Sequence, residues 1–183
     1  RKMDAANVDL KSFRDDFYRK LCGARLAPVL ETLEAIRRET DCWLEVTTLL
    51  IPGENDSEAE IDGLTAWVAE RLGAGTPLHF SAFHPDWKMR DTPPTPLASL
   101  IKAREIALKN GVRYAYVGNV HYKAGDSTYC HGCGELLIGR DWYQLSEWRL
   151  DENGACMACG TPCAGHFAAK PGDWGAKRMA VSM

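Results

Sequence analysis

Two modules are predicted from this chain: an α/β unit built on a parallel sheet, and a small β module folded around a metal. Three observations carry the prediction. Stretches with strand and helix patterning alternate from Ala6 to Val120. That rhythm stops between Gly118 and Gly125. Beyond it, two Cys-x2-Cys pairs, Cys130/Cys133 and Cys156/Cys159, stand 22 residues apart, close to a four-cysteine zinc spacing. The boundaries expected are 1–122 for the α/β domain, 123–170 for the zinc-ribbon module and 171–183 for a C-terminal tail.

The elements follow in order. Ala6–Leu10 reads as a short buried strand. In "LAPVLETLEAIRRET", Leu26, Leu30, Leu33 and Ile36 fall on one helical stripe. Cys42–Ile51 is rich in β-branched residues and stops at Pro52-Gly53, a strand ended by a turn. The next helix is capped by Asp56 or Ser57, the latter making a capping-box pattern with Glu60. It buries Ile61, Leu64, Val68 and Leu72, and Gly73 ends it. "TPLHFSAF" is a third strand. The third helix has Thr95 as its cap, Pro96 in its first turn and Asn110-Gly111 as its stop. "VRYAYVGNV" is a fourth strand. Short antiparallel strands are expected beyond the boundary, broken by a turn at Asp151–Gly154.

Alternation of this kind predicts a parallel sheet with crossover helices, and such sheets carry their chemistry at the carboxyl ends of the strands. That rule selects Asp9 and Lys11, Asn55 and Asp56, His84 and Asp86, and Asn119 and His121. The Pro-rich stretch His84–Pro96 is long enough to be a functional loop. Glu45 lies inside an apolar strand pattern, where a carboxylate needs a partner, and Lys11 is the partner expected. Trp87, Trp142 and Trp148 are expected to be packing residues.

Bulk properties narrow the class. The 183 residues are 45% hydrophobic and 26% charged, ordinary for a globular chain. Twenty-two Lys and Arg against 25 Asp and Glu give no basic stripe for nucleic acid. No stretch reaches the roughly 18 apolar residues of a membrane span, and the N-terminus lacks the apolar core of a signal peptide. A cytoplasmic protein that binds neither nucleic acid nor membrane is expected. In that setting seven cysteines point to metal or redox chemistry rather than a disulfide framework. Cys22 and Cys42 are read as ordinary buried or neutral thiols.

Five cysteines fall within the 34 residues Cys130–Cys163. A two-residue gap lets both sulfurs of one tight turn face one point, and two such turns complete a tetrahedron. Gly134 and Gly160 follow the second cysteine of each pair, where the turn needs a positive φ. Cys130, Cys133, Cys156 and Cys159 are therefore the expected ligands of a structural zinc. His131 and His166 are read as bystanders. An alternative set adds Cys163 and makes the tail an iron–sulfur site, an electron relay.

With the strand-end residues in view, "DAANVDLKSF", "WLEVTTLLIPGENDSEAEI", "PLHFSAFHPDWKMRDTPPTP", "AREIALKNGVRYAYVGNV" and "CHGCGELLI…CMACG" together resemble the radical SAM protein of the AmmeMemoRadiSam group. That group is related to the enzymes that activate pyruvate formate-lyase. The resemblance covers nearly the whole chain. It implies the C-terminal part of a partial (β/α)6 radical SAM barrel with an appended zinc ribbon. It also implies a [4Fe-4S] cluster on a C-x3-C-x2-C loop, which cleaves S-adenosylmethionine to a 5′-deoxyadenosyl radical.

No such loop occurs in these 183 residues, and Cys156, Cys159 and Cys163 have the reverse spacing. The chain is thus expected to begin in mid-fold and to be catalytically incomplete alone, contributing part of the site for S-adenosylmethionine and substrate. By the resemblance, Asp9 and Lys11 contact the methionyl part of S-adenosylmethionine, His84 lies near its sugar or adenine, and Asn119 is a further contact. The partners implied are a protein substrate or Memo-like and AMMECR-like proteins. An exposed barrel edge would be covered by homo-oligomerisation. A competing reading is a non-catalytic zinc-ribbon module that binds another protein.

Overall fold

Four parallel strands run through the first unit: β1 (Ala5–Asp9), β2 (Trp43–Leu50), β3 (Leu78–Ala82) and β4 (Ala115–Gly118). They lie side by side in chain order, β1-β2-β3-β4. This computed structural model describes residues 3–172. The tail expected at 171–183 therefore lies outside the described residues from residue 173 onward. Two compact units divide between Val120 and His121.

Helices α1 (Asp15–Phe17), α2 (Leu26–Glu39), α3 (Glu58–Trp67) and α4 (Leu97–Lys109) occupy the connections between strands. Each parallel pairing requires such a crossover, because a hairpin turn can join only antiparallel strands. α1 and α3 each continue into a π-helical turn, Tyr18–Cys22 and Val68–Leu72. Burial alternates along the strands: Leu44, Val46, Thr48 and Leu50 of β2 are buried while Trp43, Glu45, Thr47 and Leu49 are half-buried. The buried face, with Leu78 and Phe80 of β3 and Val117 of β4, joins Leu33 of α2, Ile61, Leu64, Val68 and Leu72 of α3 and its turn, and Leu100 of α4 in the core. Phe80, Leu33, Val68 and Leu100 are fully enclosed.

Several sequence-based expectations are corrected here. The capping box is only half formed. Ser57 Oγ accepts the Glu60 N–H at 3.4 Å, but the Glu60 side chain turns to the loop after β1. There it accepts from the Ser12 hydroxyl, the Phe13 N–H (3.0 Å) and Arg14 Nε (2.8 Å). Thr95 does not cap α4, whose N-cap is Pro96. Its buried hydroxyl donates to Leu50 O (2.6 Å) and accepts from Phe83 N–H (2.8 Å), closing the base of the Pro-rich loop onto the ends of β2 and β3.

α1 was not legible as a helix, because Phe17 and Tyr18 are adjacent and form no three- or four-residue stripe. It is held by tertiary contacts instead: both aromatics are buried with Ile51 and Phe83, and Leu26, Val29, Leu49 and Met89 pack on that cluster.

The second unit contains a four-residue helix, α5 (Lys123–Asp126), and an antiparallel sheet, β5 (Thr128–Tyr129), β6 (Leu136–Asp141) and β7 (Gln144–Trp148), in that order. The β6–β7 hairpin turns at Trp142-Tyr143, with Trp142 at φ +54°, and a second turn forms as expected at Asp151–Gly154, where Gly154 N–H donates to Asp151 O at 3.1 Å. In this second turn Asp151 Oδ1 accepts the N–H groups of Asn153 (2.9 Å) and Ala155 (2.8 Å), and it leads into a bridge between Leu150 and Cys156. Trp142 and Trp87 are exposed rather than packed, whereas Trp148 sets its ring edge against Phe167 at 6.1 Å. Cys22 is exposed as well. Among the described residues no helix is long and apolar enough to cross a membrane.

Candidate functional site

The cysteine pairs form two matching turns. Gly134 N–H donates to Cys130 O at 2.9 Å, and Gly160 N–H donates to Cys156 O at 2.8 Å. Both glycines adopt the positive φ expected of them, +79° and +72°. The turns face each other closely: a Cβ at Gly132 would come within 2.4 Å of Thr161 Oγ1, so position 132 tolerates no side chain without movement. The sulfurs of Cys130, Cys133, Cys156 and Cys159 all lie within 4.8 Å of one another. Cys130–Cys159 measures 3.6 Å and Cys133–Cys156 3.8 Å. A tetrahedral ion with metal–sulfur bonds of about 2.3 Å sets its ligands about 3.8 Å apart, so the four cysteines fit a single metal ion.

The electrostatics call for a cation. Hydrogen bonds among the sulfurs favour the thiolate at Cys159 and oppose it at Cys133. Thr161, through its hydroxyl and its N–H, brings Cys159 down to about 6. Cys133 has the Glu135 N–H in favour of its thiolate, yet hydrogen bonding to the neighbouring sulfurs and burial push it up to about 12. A bound cation lets all four become thiolates together. Cys163, though buried, is not one of the four; nor are His131 and His166.

Of the other candidates Asp9 lies at the end of β1, in a row on the half-buried face of the parallel sheet, while Lys11, His84 and Asn119 follow the ends of β1, β3 and β4. Register places Asp9, Thr47, His79 and Tyr116 in one row across the four strands, with Asn7 and Glu45 in the row before it. Asp9 and Lys11 are brought together as an ion pair of 2.8 Å, with side chains 55% and 43% exposed. Asn119 is exposed at φ +62°, and its amide donates to Ala82 O at 3.3 Å, tying the end of β4 to that of β3. His84 is exposed on the loop that begins two residues after β3.

Two strand-end residues have other duties. Asn55 is buried, accepts from Ile51 N–H (2.7 Å) and donates to Lys11 O (2.5 Å) and Leu49 O (2.8 Å), so it fastens the β2 loop to β1. His121 accepts from the Trp142 indole at 2.7 Å within the second unit.

Glu45 pairs with His79 Nε2 (2.8 Å), not with Lys11, and also accepts from the Trp43 indole N–H (3.0 Å). His79 stacks on Tyr116 with 5.0 Å between ring centroids. Reasoning from sequence missed His79. Its only sequence signal is its position two residues before Ser81 on the polar alternation of β3, and its partner is 34 residues away.

Comparison with known proteins adds three findings. No family model matches the chain. It is 44% identical over 159 residues to "Uncharacterized protein MJ0808" of Methanocaldococcus jannaschii, a match covering 86% of this chain and 47% of that protein. The chain thus spans about half the length of this curated relative. A crystal structure of a domain of pyruvate-formate lyase-activating enzyme from Bacteroides vulgatus superposes with a TM-score of 0.56 at 16% identity, over 63% of this chain and 68% of that one. At that identity the likeness is one of fold: this chain carries the α/β fold of a domain from an enzyme that activates pyruvate formate-lyase.

Proposed function

We propose that this chain is the C-terminal part of a radical SAM enzyme of the AmmeMemoRadiSam group, in which the polar face of the sheet holds S-adenosylmethionine and the four cysteines hold a structural zinc. The observation that carries this reading is the fold likeness to an activating-enzyme domain, on a sheet whose half-buried face bears the Asp9–Lys11 pair. Lys11 and Asp9 offer a cation and a carboxylate side by side, the charges needed to meet the carboxylate and ammonium of the methionyl part. His84 and Asn119 lie near the ends of β3 and β4, where the sugar and adenine would be met. A [4Fe-4S] cluster, if bound on a C-x3-C-x2-C loop, would supply the electron for cleavage of S-adenosylmethionine. Its loop lies outside these 183 residues, which agrees with the greater length of the relative. On this reading the chain is catalytically incomplete by itself.

The test is calorimetric titration of the chain with S-adenosylmethionine. Wild-type protein is expected to bind, and Lys11→Met to lose about tenfold or more in affinity, as befits a charge-assisted contact. No heat of binding in the wild type, or equal affinity in Lys11→Met, would overturn the assignment of these residues.

A second reading, a protein-binding module, is favoured by the β6–β7 hairpin. Trp142 (54% exposed), Tyr143 (67%) and Leu145 (41%) sit at and beside its tip. If the calorimetry is negative, this becomes the better account of the second unit.

A further inference from the structure

We propose that His79, positioned by Glu45, is the hydrogen-bond acceptor for a hydroxyl or amine group of a ligand lying across the polar face of the sheet. A carboxylate only accepts, so the nitrogen 2.8 Å from Glu45 Oε2, His79 Nε2, carries a proton. In the neutral form of the ring Nδ1 is then an acceptor. The other Glu45 oxygen accepts from the Trp43 indole at 3.0 Å, which fixes the direction of the carboxylate. Tyr116 fixes the ring plane, stacked at 24°. Among the described residues Nδ1 has no hydrogen-bond partner, and the side chain is 29% exposed. An imidazole oriented by a carboxylate on one nitrogen and open on the other is the arrangement of a proton acceptor awaiting a donor.

Its surroundings suit a ligand. His79 shares a register row with Asp9, two strands away, a span of about 10 Å at ordinary strand spacing. Among the described residues, Asp9 and Glu45 are charged groups on the same face, and Lys11 pairs with Asp9. At the carboxyl end, Leu49, Ile51 and Phe83 join the cluster with Phe17 and Tyr18, so an apolar wall stands beside the polar rows. An apolar surface with a few fixed polar groups is the usual make-up of a small-molecule site. The proposal rests on the assignment of S-adenosylmethionine to this face. Asp9 and Lys11 would meet one end of the ligand and His79 the hydroxyl or amine donors of its nucleoside end.

The experiment is a titration of the full chain, with 15N-labelled histidine rings and backbone amides, against S-adenosylmethionine, followed by NMR. The His79 Nδ1 resonance is expected to move in step with the amides of Asp9 and Lys11. Glu45→Gln, which leaves a side chain of the same size, is expected to weaken the ligand about tenfold. A shift at Asp9 and Lys11 with none at His79 would overturn this proposal and leave the S-adenosylmethionine site standing. A shift at His79 alone would support it and overturn the roles given to Asp9 and Lys11. No shift at either would overturn both. The wild-type shifts decide the matter even if Glu45→Gln fails to fold.

Discussion

The two units of this chain are held together by different forces. In the first, a sheet face and three helices enclose Phe80, Leu33, Val46, Val68, Leu78 and Leu100 with almost no exposure. In the second, the buried aliphatic side chains among the described residues are only Leu137, Ile138 and Leu150, and the other buried hydrophobic positions are Cys130, Cys156 and Cys163. Burying a large aliphatic side chain contributes about 1.5–3 kcal/mol, and three of them cannot offset the entropy of ordering so many residues. The first unit is stabilised by apolar area, while the second carries a four-cysteine group that could hold a metal ion and is expected to depend on it. The difference also separates the two chemically: the four sulfurs converge on one another in a closed site, while the half-buried sheet face keeps polar side chains partly open.

Removing the metal should break this contrast most visibly. Ligation in small four-ligand modules is linked to about 10–16 kcal/mol of folding free energy, more than the second unit has from packing. A strong chelator, or Cys130→Ser, is expected to unfold the second unit and leave the first protected, read by limited proteolysis with mass spectrometry. Elemental analysis before chelation should give about one zinc per chain. A second unit that stays protected after complete metal loss would mean that packing suffices there. The reciprocal test is Phe80→Ala, which leaves a cavity in the enclosed sheet face. It is expected to cost about 3–5 kcal/mol in the first unit and to leave metal content unchanged. Loss of zinc in that variant would show that the two units do not fold independently.

What the sequence revealed follows the same division. The grouping of the four cysteines was legible because its information is local: a two-residue gap, a glycine, and the same again. The four strands and the three long helices were legible from period, to within a residue or two at their ends except at the start of β4, which lies three residues later than the pattern suggested. Pairing across the sheet was not. Glu45 was rightly marked as needing a partner, but the choice between Lys11 and His79 depends on register and on which face each strand turns inward. Glu60 shows the same limit. Its spacing from Ser57 suits a cap, yet the Ser12 hydroxyl, the Phe13 N–H and Arg14 from the β1 loop claim its carboxylate. α1 exists because Ile51 and Phe83 give Phe17 and Tyr18 somewhere to pack, which no local pattern encodes.

The smallest effect expected concerns the one charge that completes a helix start in the first unit. The N-cap of α2, Arg25, makes no side-chain capping bond. Asp15 performs that task from another element, accepting Leu26 N–H at 3.0 Å, while Arg19 Nε (2.7 Å) and Arg25 (3.5 Å) flank its other oxygen. The Leu26 N–H first, and Arg19 after it, hold the Asp15 carboxyl below its ordinary value of 3.8 against an opposing desolvation. A folded-state value below the unfolded one means that the unfolded chain takes up the proton first as the pH falls. The contribution of Asp15 is therefore fully present above the unfolded value and is lost as the pH drops through the folded one. Asp15→Asn keeps an acceptor for Leu26 but removes the charge. Its stability should fall slightly at neutral pH and converge with the wild type in acid, measured from the urea transition of the first unit alone, since acid protonates the thiolates and releases metal from the second. A gap between the two proteins that persists in acid well below the ordinary carboxyl value of 3.8, or one that widens, would mean that Asp15 acts through something other than its charge.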